Sequence, residues 1–234
     1  WQDSSTKSYY FIGKDNIPFH TIIWPAMLMG NNNYILPYDV PANEFLNLEG
    51  RQLSTSRNWA VWAPDYLDRF DPDPLRYHLI SNLPETGDSD FSWADYVRSN
   101  NDELVATFGN LVHRTLTQIY RNFGGSIPFP RELGVEDRDL IDKCEEMMDK
   151  VASSLERVKL REALNTAMLL SREANRYLDQ RAPWKQIKED PAAAGTTLYT
   201  AAFVLMTLRV IMYPFIPFSA QKLHSMLGQT GEVQ

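Results

Sequence analysis

The chain has 234 residues, 44% hydrophobic and 23% charged, a composition ordinary for a globular protein of one large or two modest domains. Its net charge of −7 excludes generic attraction to nucleic acid, so any RNA contact must come from a local cluster and specific base recognition. The single cysteine, Cys144, excludes an intramolecular disulfide and a thiolate zinc site, and its apolar neighbours mark it as a small buried side chain.

In chain order, a β-type run over 9–12 stops at Gly13. A Lys14-Asp15 pair follows, and Phe19-His20 opens an amphipathic helix predicted over 19–29. In an α/β sheet, ligands sit beyond the carboxyl ends of the strands, in the loops leading to the next helix. Gly13 lets the backbone approach such a ligand, Asp15 can accept two hydrogen bonds, and His20 offers an uncharged imidazole at neutral pH. Asn31-Asn32-Asn33 makes a turn. Extended segments are predicted over 34–38 and 44–48, with Pro37 and Pro41 keeping the connection irregular. After Gly50 comes the polar stretch Arg51-Gln-Leu-Ser-Thr-Ser-Arg57. Short helices are expected over 64–70 and 73–81, the second after the turn Asp71-Pro-Asp-Pro74, and 82–88 reads as a loop.

Beyond Trp93 the pattern is almost wholly helical. A long helix over 93–123 ends at Gly124-Gly125; Val105, Phe108, Val112 and Ile119 share one face, and Asn110, Arg114 and Arg121 the opposite one. Further helices are predicted over 135–155, 160–179, 196–213 and 219–227, with Ala182-Pro183-Trp184 breaking the second, so the carboxyl-terminal part reads as a bundle. Its apolar stretch Leu198 to Met212, interrupted by Arg209, reads as a buried helix too short to span a bilayer. Unpaired bases are recognised by stacking on aromatic rings and by hydrogen bonds to their edges. Asn110 and Arg114, at i and i+4, are either a solvated helix face or such a site; Trp184 either pins a helix end or offers a stacking platform.

Three segments together resemble methionyl-tRNA synthetase, a class I enzyme that activates methionine with ATP and loads it onto tRNA. Phe11-Ile-Gly-Lys-Asp15 followed by Phe19-His20 is similar to the family's F-I-G-K-D-x-x-x-F-H segment, and Gln52-Leu-Ser-Thr-Ser56 to its K-M-S-K-S signature loop in altered form. Asn110-x-x-x-Arg114 with Asn175-Arg-Tyr and Ala182-Pro-Trp184 is similar to its anticodon-reading signature, in the same order along the chain. The resemblance implies a mainly α protein: a truncated α/β, Rossmann-type catalytic remnant over 1–44, a signature-loop and connecting, stem-contact region over 45–92, and an α-helical anticodon-binding bundle over 93–234. It implies that Phe19 and His20 line the methionine pocket, with Trp24 behind them or simply in the core. Gly13, Asp15, Leu53, Ser54 and Thr55 would bind ATP. Ser54, Ser56 and Arg57 would be catalytic, and Asn110, Arg114 and Trp184 would contact the CAU anticodon of tRNA(Met), Trp184 stacking on its first base.

Gln52 and Thr55 stand where the family has lysines, so positive charge for the leaving pyrophosphate would have to come from Arg57 or Arg51. No His-x-Gly-His motif occurs in the sequence. The expectation is therefore a carboxyl-terminal fragment whose missing amino-terminal half holds the rest of the methionine and ATP sites, inactive alone, monomeric and cytoplasmic, with no membrane partner. ATP with Mg2+ would serve the intact enzyme, and neither zinc nor another metal is expected to bind this portion. Residues 1–8 are polar and lack the apolar core of a signal peptide. The alternatives are a stand-alone, non-catalytic helical RNA-binding module, favoured by the altered loop, and another class I synthetase for a hydrophobic amino acid.

Overall fold

Helix dominates the structure, a computed structural model that describes residues 1–233, and among the described residues no strand is longer than three residues. The chain divides into two units, Trp1–Trp62 with Asn82–Trp93 and Ala63–Ser81 with Ala94–Gln234.

In the first unit, β1 (Ile12–Gly13) is shorter than the predicted 9–12 run. The Tyr9 end makes only an isolated bridge to Asp39. After a single 3-10 turn, Lys14–Asn16, the chain enters a π-helical turn, Phe19–Ile23, and then α1 (Trp24–Asn31). Pro25 explains the widened turn. It has no N–H for the Thr21 carbonyl and its ring crowds that oxygen, so the Trp24 N–H reaches back five residues to the Phe19 carbonyl instead. The amphipathic expectation for 19–29 fails. Only Leu28 is buried, and Ile22, Met27 and Met29 are each more than 60% exposed, because the segment is apolar on all sides and no single face is selected.

β1 pairs in parallel with β2 (Ala42–Asn43), Ile12 opposite Ala42 and Gly13 opposite Asn43. A separate sheet runs β4-β3-β5, in which β3 (Leu46–Leu48) is antiparallel to β4 (Arg51–Gln52) and parallel to β5 (Ser89–Phe91). Glu49 and Gly50 join β3 to β4 with φ of 49° and 72°, the two positive values that a two-residue hairpin needs to match strand twist. Glu49 holds this left-handed conformation because its N–H donates to the Phe91 carbonyl and its carboxylate accepts the Trp93 N–H. No strand forms over 34–38, where Pro37 removes a ladder donor.

The second unit contains α2 (Ala63–Leu67), α3 (Pro72–Ser81) and the long helical path that starts with α4 (Trp93–Arg98) and ends with α5 (Asn110–Asn122). Between them, Ser99–Gly109 is π-helical, so each residue there turns less than the 100° assumed from an α-helix. That phase change corrects the face reading: Val105 is 59% exposed and Leu104 is buried in its stead, while Phe108 and Ile119 stay inside. The bundle is completed by α6 (Val135–Glu156), α7 (Leu160–Arg181), α8 (Pro183–Glu189), α9 (Pro191–Ile211) and α10 (Pro217–Met226). No periodicity announces α8, whose seven residues are too few to show one.

At its centre lies α9. Leu198, Ala201, Val204, Leu205 and Leu208 are fully buried, and its buried threonines return their hydroxyls to the carbonyls four residues back, Thr200 to Thr196 at 3.1 Å. At 21 residues, starting well before the expected 196, α9 is long and apolar enough to cross a membrane, which corrects the estimate of its length. Two thirds of its most apolar window, 67%, is buried inside the bundle instead. Cys144 on α6 faces the same core, 1% exposed, and burial pushes its thiol up to about 11. That leaves about a hundredfold less thiolate than its ordinary value of 9.0 would. In the folded protein at pH 8, a disulfide reagent is expected to modify Cys144 at least about a hundredfold more slowly than in denaturant. Equal rates would show that this core is open.

Candidate functional site

The first candidate cluster lies where β1 ends. Gly13 has an ordinary extended backbone, and a Cβ built on it would meet nothing within 4 Å. Neither strain nor protein packing requires glycine there, and the space beside it is open. Asp15 is exposed on the following turn. One helical step on, Tyr10, Phe19, His20, Ile23, Trp24 and Met27 line a depression of about 400 Å³. His20 is half-buried, with Nδ1 3.1 Å from the Asn16 carbonyl oxygen. In the neutral ring Nδ1 therefore carries the proton and donates it, leaving Nε2 as the free acceptor. Phe19 is exposed at 56%, and the buried Trp24 Nε1 has no hydrogen-bond partner. The result is an apolar wall with one imidazole nitrogen, a setting suited to a thioether side chain.

The second cluster is a closed hairpin loop. Ser54 and Trp59 exchange both backbone hydrogen bonds, at 2.9 and 2.8 Å, and the Asn58 N–H closes the turn onto the Thr55 carbonyl. Asn58 tolerates the φ of 48° that this turn demands. Trp59 anchors the loop: its indole N–H donates to the Leu48 carbonyl at 3.0 Å, and its ring carries the Arg51 guanidinium 5.3 Å from its centre. Ser54 Oγ lies 3.2 Å from Ser56 Oγ and accepts the Arg57 N–H at 3.3 Å. Leu53, Thr55 and Ser56 are exposed. Arg51 and Arg57, the two candidates for the missing charge, thus differ. Arg51 is held against Trp59, whereas among the described residues the Arg57 guanidinium makes no ion pair.

The third cluster is on the bundle. Ala182 ends α7 in the left-handed region, φ 45°, a conformation that costs a non-glycine residue about 1 kcal/mol or more. The turn lets Pro183 start α8 at once, with Trp184 on its first turn, 37% exposed. The Arg114 guanidinium of α5 sits 5.0 Å from the Trp184 ring centre. Two α7 side chains hold it there: Asp179 Oδ1 accepts from it at 2.6 Å and Asn175 Oδ1 at 3.4 Å. Asn175 in turn donates to the Thr107 carbonyl of the π-helical stretch and to the Ser171 carbonyl. Asn110 is exposed one helical turn before Arg114. So the structure brings Arg114 and Trp184 into contact and sets Asn110 on the same helix. Asn175 belongs to the Asn175-Arg-Tyr motif but was given no role from sequence, and Asp179, which with it fixes the guanidinium, was not picked out at all. Their signal was there in the i, i+4 spacing of an acid and an amide just before the Ala-Pro-Trp break.

Strand-end loop, serine hairpin and helical bundle are the parts of a class I aminoacyl-tRNA synthetase, and the chain's similarities agree. Residues 1–116 match the family described as tRNA synthetases class I (M), and residues 127–233 the anticodon binding domain of methionyl tRNA ligase. Among curated relatives, the methionine–tRNA ligase of Roseiflexus castenholzii is 56% identical over 97% of this chain and 38% of its own length. That of Thermomicrobium roseum is 53% identical over 97% and 39%. Among solved structures, Mycobacterium tuberculosis methionyl-tRNA synthetase in complex with methionyl-adenylate superposes with a TM-score of 0.89 at 30% identity, over 95% of this chain and 44% of that one. Its apo form gives 0.86 at 29%. The chain belongs to the methionyl-tRNA synthetase family, and it spans about two fifths of the length of the curated relatives it matches.

The anchoring of the hairpin is directly testable. Trp59→Ala removes one hydrogen bond and one cation–π contact, together about 1.5–2 kcal/mol. Trypsin cleavage after Arg57 is then expected to accelerate roughly tenfold or more while the bundle stays resistant. An unchanged rate would mean that Trp59 does not hold the loop.

Proposed function

We propose that this chain is the carboxyl-terminal part of a methionine–tRNA ligase, carrying the signature loop and the anticodon-binding bundle of an enzyme that forms methionyl-adenylate and passes the methionyl group to tRNA(Met). The observation that carries this reading is the exposed Trp184 ring, within the 127–233 segment that matches the family's anticodon domain, beneath the fixed Arg114 guanidinium. A base stacks on an indole face whatever its identity, and edge donors such as the Asn110 amide and the Arg114 fork then discriminate. In this reading the first anticodon base stacks on Trp184, and Asn110 and Arg114 read base edges. Because the bundle over 93–234 is close to neutral, with 18 acidic and 17 basic side chains, recognition relies on these contacts rather than on bulk charge.

Activation joins the methionine carboxylate to the α-phosphorus of ATP and expels pyrophosphate, on which negative charge accumulates. Donors fixed in advance where that charge develops lower the barrier. Ser54, Ser56 and the unpaired guanidinium of Arg57 are the donors in this chain, with Leu53 and Thr55 shaping the loop around ATP. Arg57 takes over the cationic role from the positions held by Gln52 and Thr55. Gly13 and Asp15 face the ribose, and Phe19 and His20 line the methionine side chain, Trp24 behind them. Magnesium would enter with ATP and would offset the charge of its phosphates. Among the described residues no group of three or more His, Cys, Asp or Glu side chains is placed to hold a metal by itself. The remaining parts of both substrate sites belong to the rest of the enzyme, and we place the whole as a cytoplasmic monomer.

Two variants in the full-length protein separate the halves of this reading. Trp184→Ala loses about 1–3 kcal/mol of stacking, so the KM for tRNA is expected to rise by about tenfold with methionine-dependent pyrophosphate exchange unchanged. Arg57→Ala is expected to slow that exchange by on the order of 100-fold, without altering affinity for the anticodon stem-loop. If Trp184→Ala damages both half-reactions equally, or Arg57→Ala exchanges at the normal rate, the corresponding assignment is wrong.

A further inference from the structure

The first-motif turn and the sheet that presents the serine hairpin belong to different ladders: among the described residues β1 pairs with β2 alone, and β4-β3-β5 form their own sheet. The covalent link between them is the corner Glu44-Phe45. One side chain bridges the same gap from the other side. Lys14 Nζ lies 2.5 Å from Glu44 Oε2 and 2.8 Å from Asp88 Oδ1, and 4.2 Å from the centre of the Phe45 ring. Asp88 Oδ1 also accepts the Phe45 N–H at 3.0 Å, and the Ser89 N–H, at the start of β5, donates to the Phe45 carbonyl at 2.9 Å. One ammonium therefore ties the residue next to Gly13 and Asp15 to the corner entering β3 and to the residue preceding β5.

We propose that Lys14 is a positioning residue for methionine activation, holding the Gly13–Asp15 turn in register with the sheet from which the Ser54–Trp59 hairpin springs, without touching the nucleotide. This rests on the ligase reading above. Two carboxylates already take up the Lys14 charge, which leaves the cluster at −1 and makes it a poor phosphate ligand. The protonation states agree. Hydrogen bonds to Asp88 and then Glu44 hold the ammonium above its ordinary range, and the bond to Lys14 holds the Asp88 carboxyl below its own. All three side chains are partly solvated, so the cluster adds little to global stability. Its effect is on local geometry, where small misplacements of reacting groups cost large factors in rate.

The test is a mutant cycle in the full-length protein, read by methionine-dependent pyrophosphate exchange and by binding of an anticodon stem-loop. Lys14→Met is expected to lower kcat about tenfold, with the KM for ATP and stem-loop affinity each within about twofold. Lys14→Arg should recover most of the rate. The carboxamide pair Glu44→Gln/Asp88→Asn should reproduce the loss, and adding Lys14→Met to that pair should lower the rate no further. A further tenfold loss in that background, or a raised KM for ATP, would make Lys14 a direct nucleotide ligand and overturn the proposal. So would normal exchange by the carboxamide pair, which decides the matter even if Lys14→Met does not fold. Absence of exchange in the unmutated full-length protein would overturn the ligase reading instead.

Discussion

The proposed recognition surface of the bundle depends on keeping one arginine still. A guanidinium on a solvent-facing helix ordinarily samples many rotamers, and ordering it costs free energy. Here Asp179 and Asn175 on the adjoining helix take up its donors while the Trp184 ring closes one of its faces, so Arg114 is three-quarters buried although it lies at the surface. The indole is equally constrained. It leaves a left-handed Ala182 and a Pro183 that allow it little freedom of approach. A platform ordered in advance binds more tightly than one that must be ordered at encounter.

Those constraints in turn depend on the core. The α7 carboxylate and amide that hold Arg114 are registered against α5 because Asn175 ties α7 to a carbonyl of the π-helical stretch, where the wider turn alters the phase leading into Asn110 and Arg114. α9, buried on nearly every side, supplies the surface on which α6, α7 and α8 pack. A protein with a net charge of −7 can in this way present a local, rigid cationic and aromatic patch without a basic face.

Much of this was readable from residue order. The 3.6-residue period over 135–155 ran through Leu140, Ile141, Cys144, Met147, Met148 and Val151, and over 160–179 through Leu164, Ala167, Met168, Ala174 and Leu178; nearly all are buried, but Met148 is exposed at 41%. Residues that two of the motifs set apart in sequence lie together, since Phe19 and His20 share one depression and Arg114 meets Trp184. What escaped was whatever period and propensity do not encode. Pro25 widens one turn and the stretch 99–109 is π-helical throughout, so Val105 left the core face that a uniform 100° step assigns it. α8 was too short to carry a pattern. The apolar residues of 19–29 looked amphipathic yet mostly lie exposed. The partners that fix each site residue, Asp179 for Arg114 or Trp59 for the serine hairpin, are tertiary facts. They come from residues brought together by packing rather than by spacing.

The central claim, that an anticodon base stacks on Trp184, is tested most directly by tryptophan fluorescence of the protein titrated with a CAU anticodon stem-loop, wild type against Trp184→Phe. The account predicts saturable quenching in the wild type that disappears from the difference signal in the variant, and that is much weaker when the first anticodon base is removed. Identical quenching in wild type and variant, or indifference to the loss of that base, would contradict it.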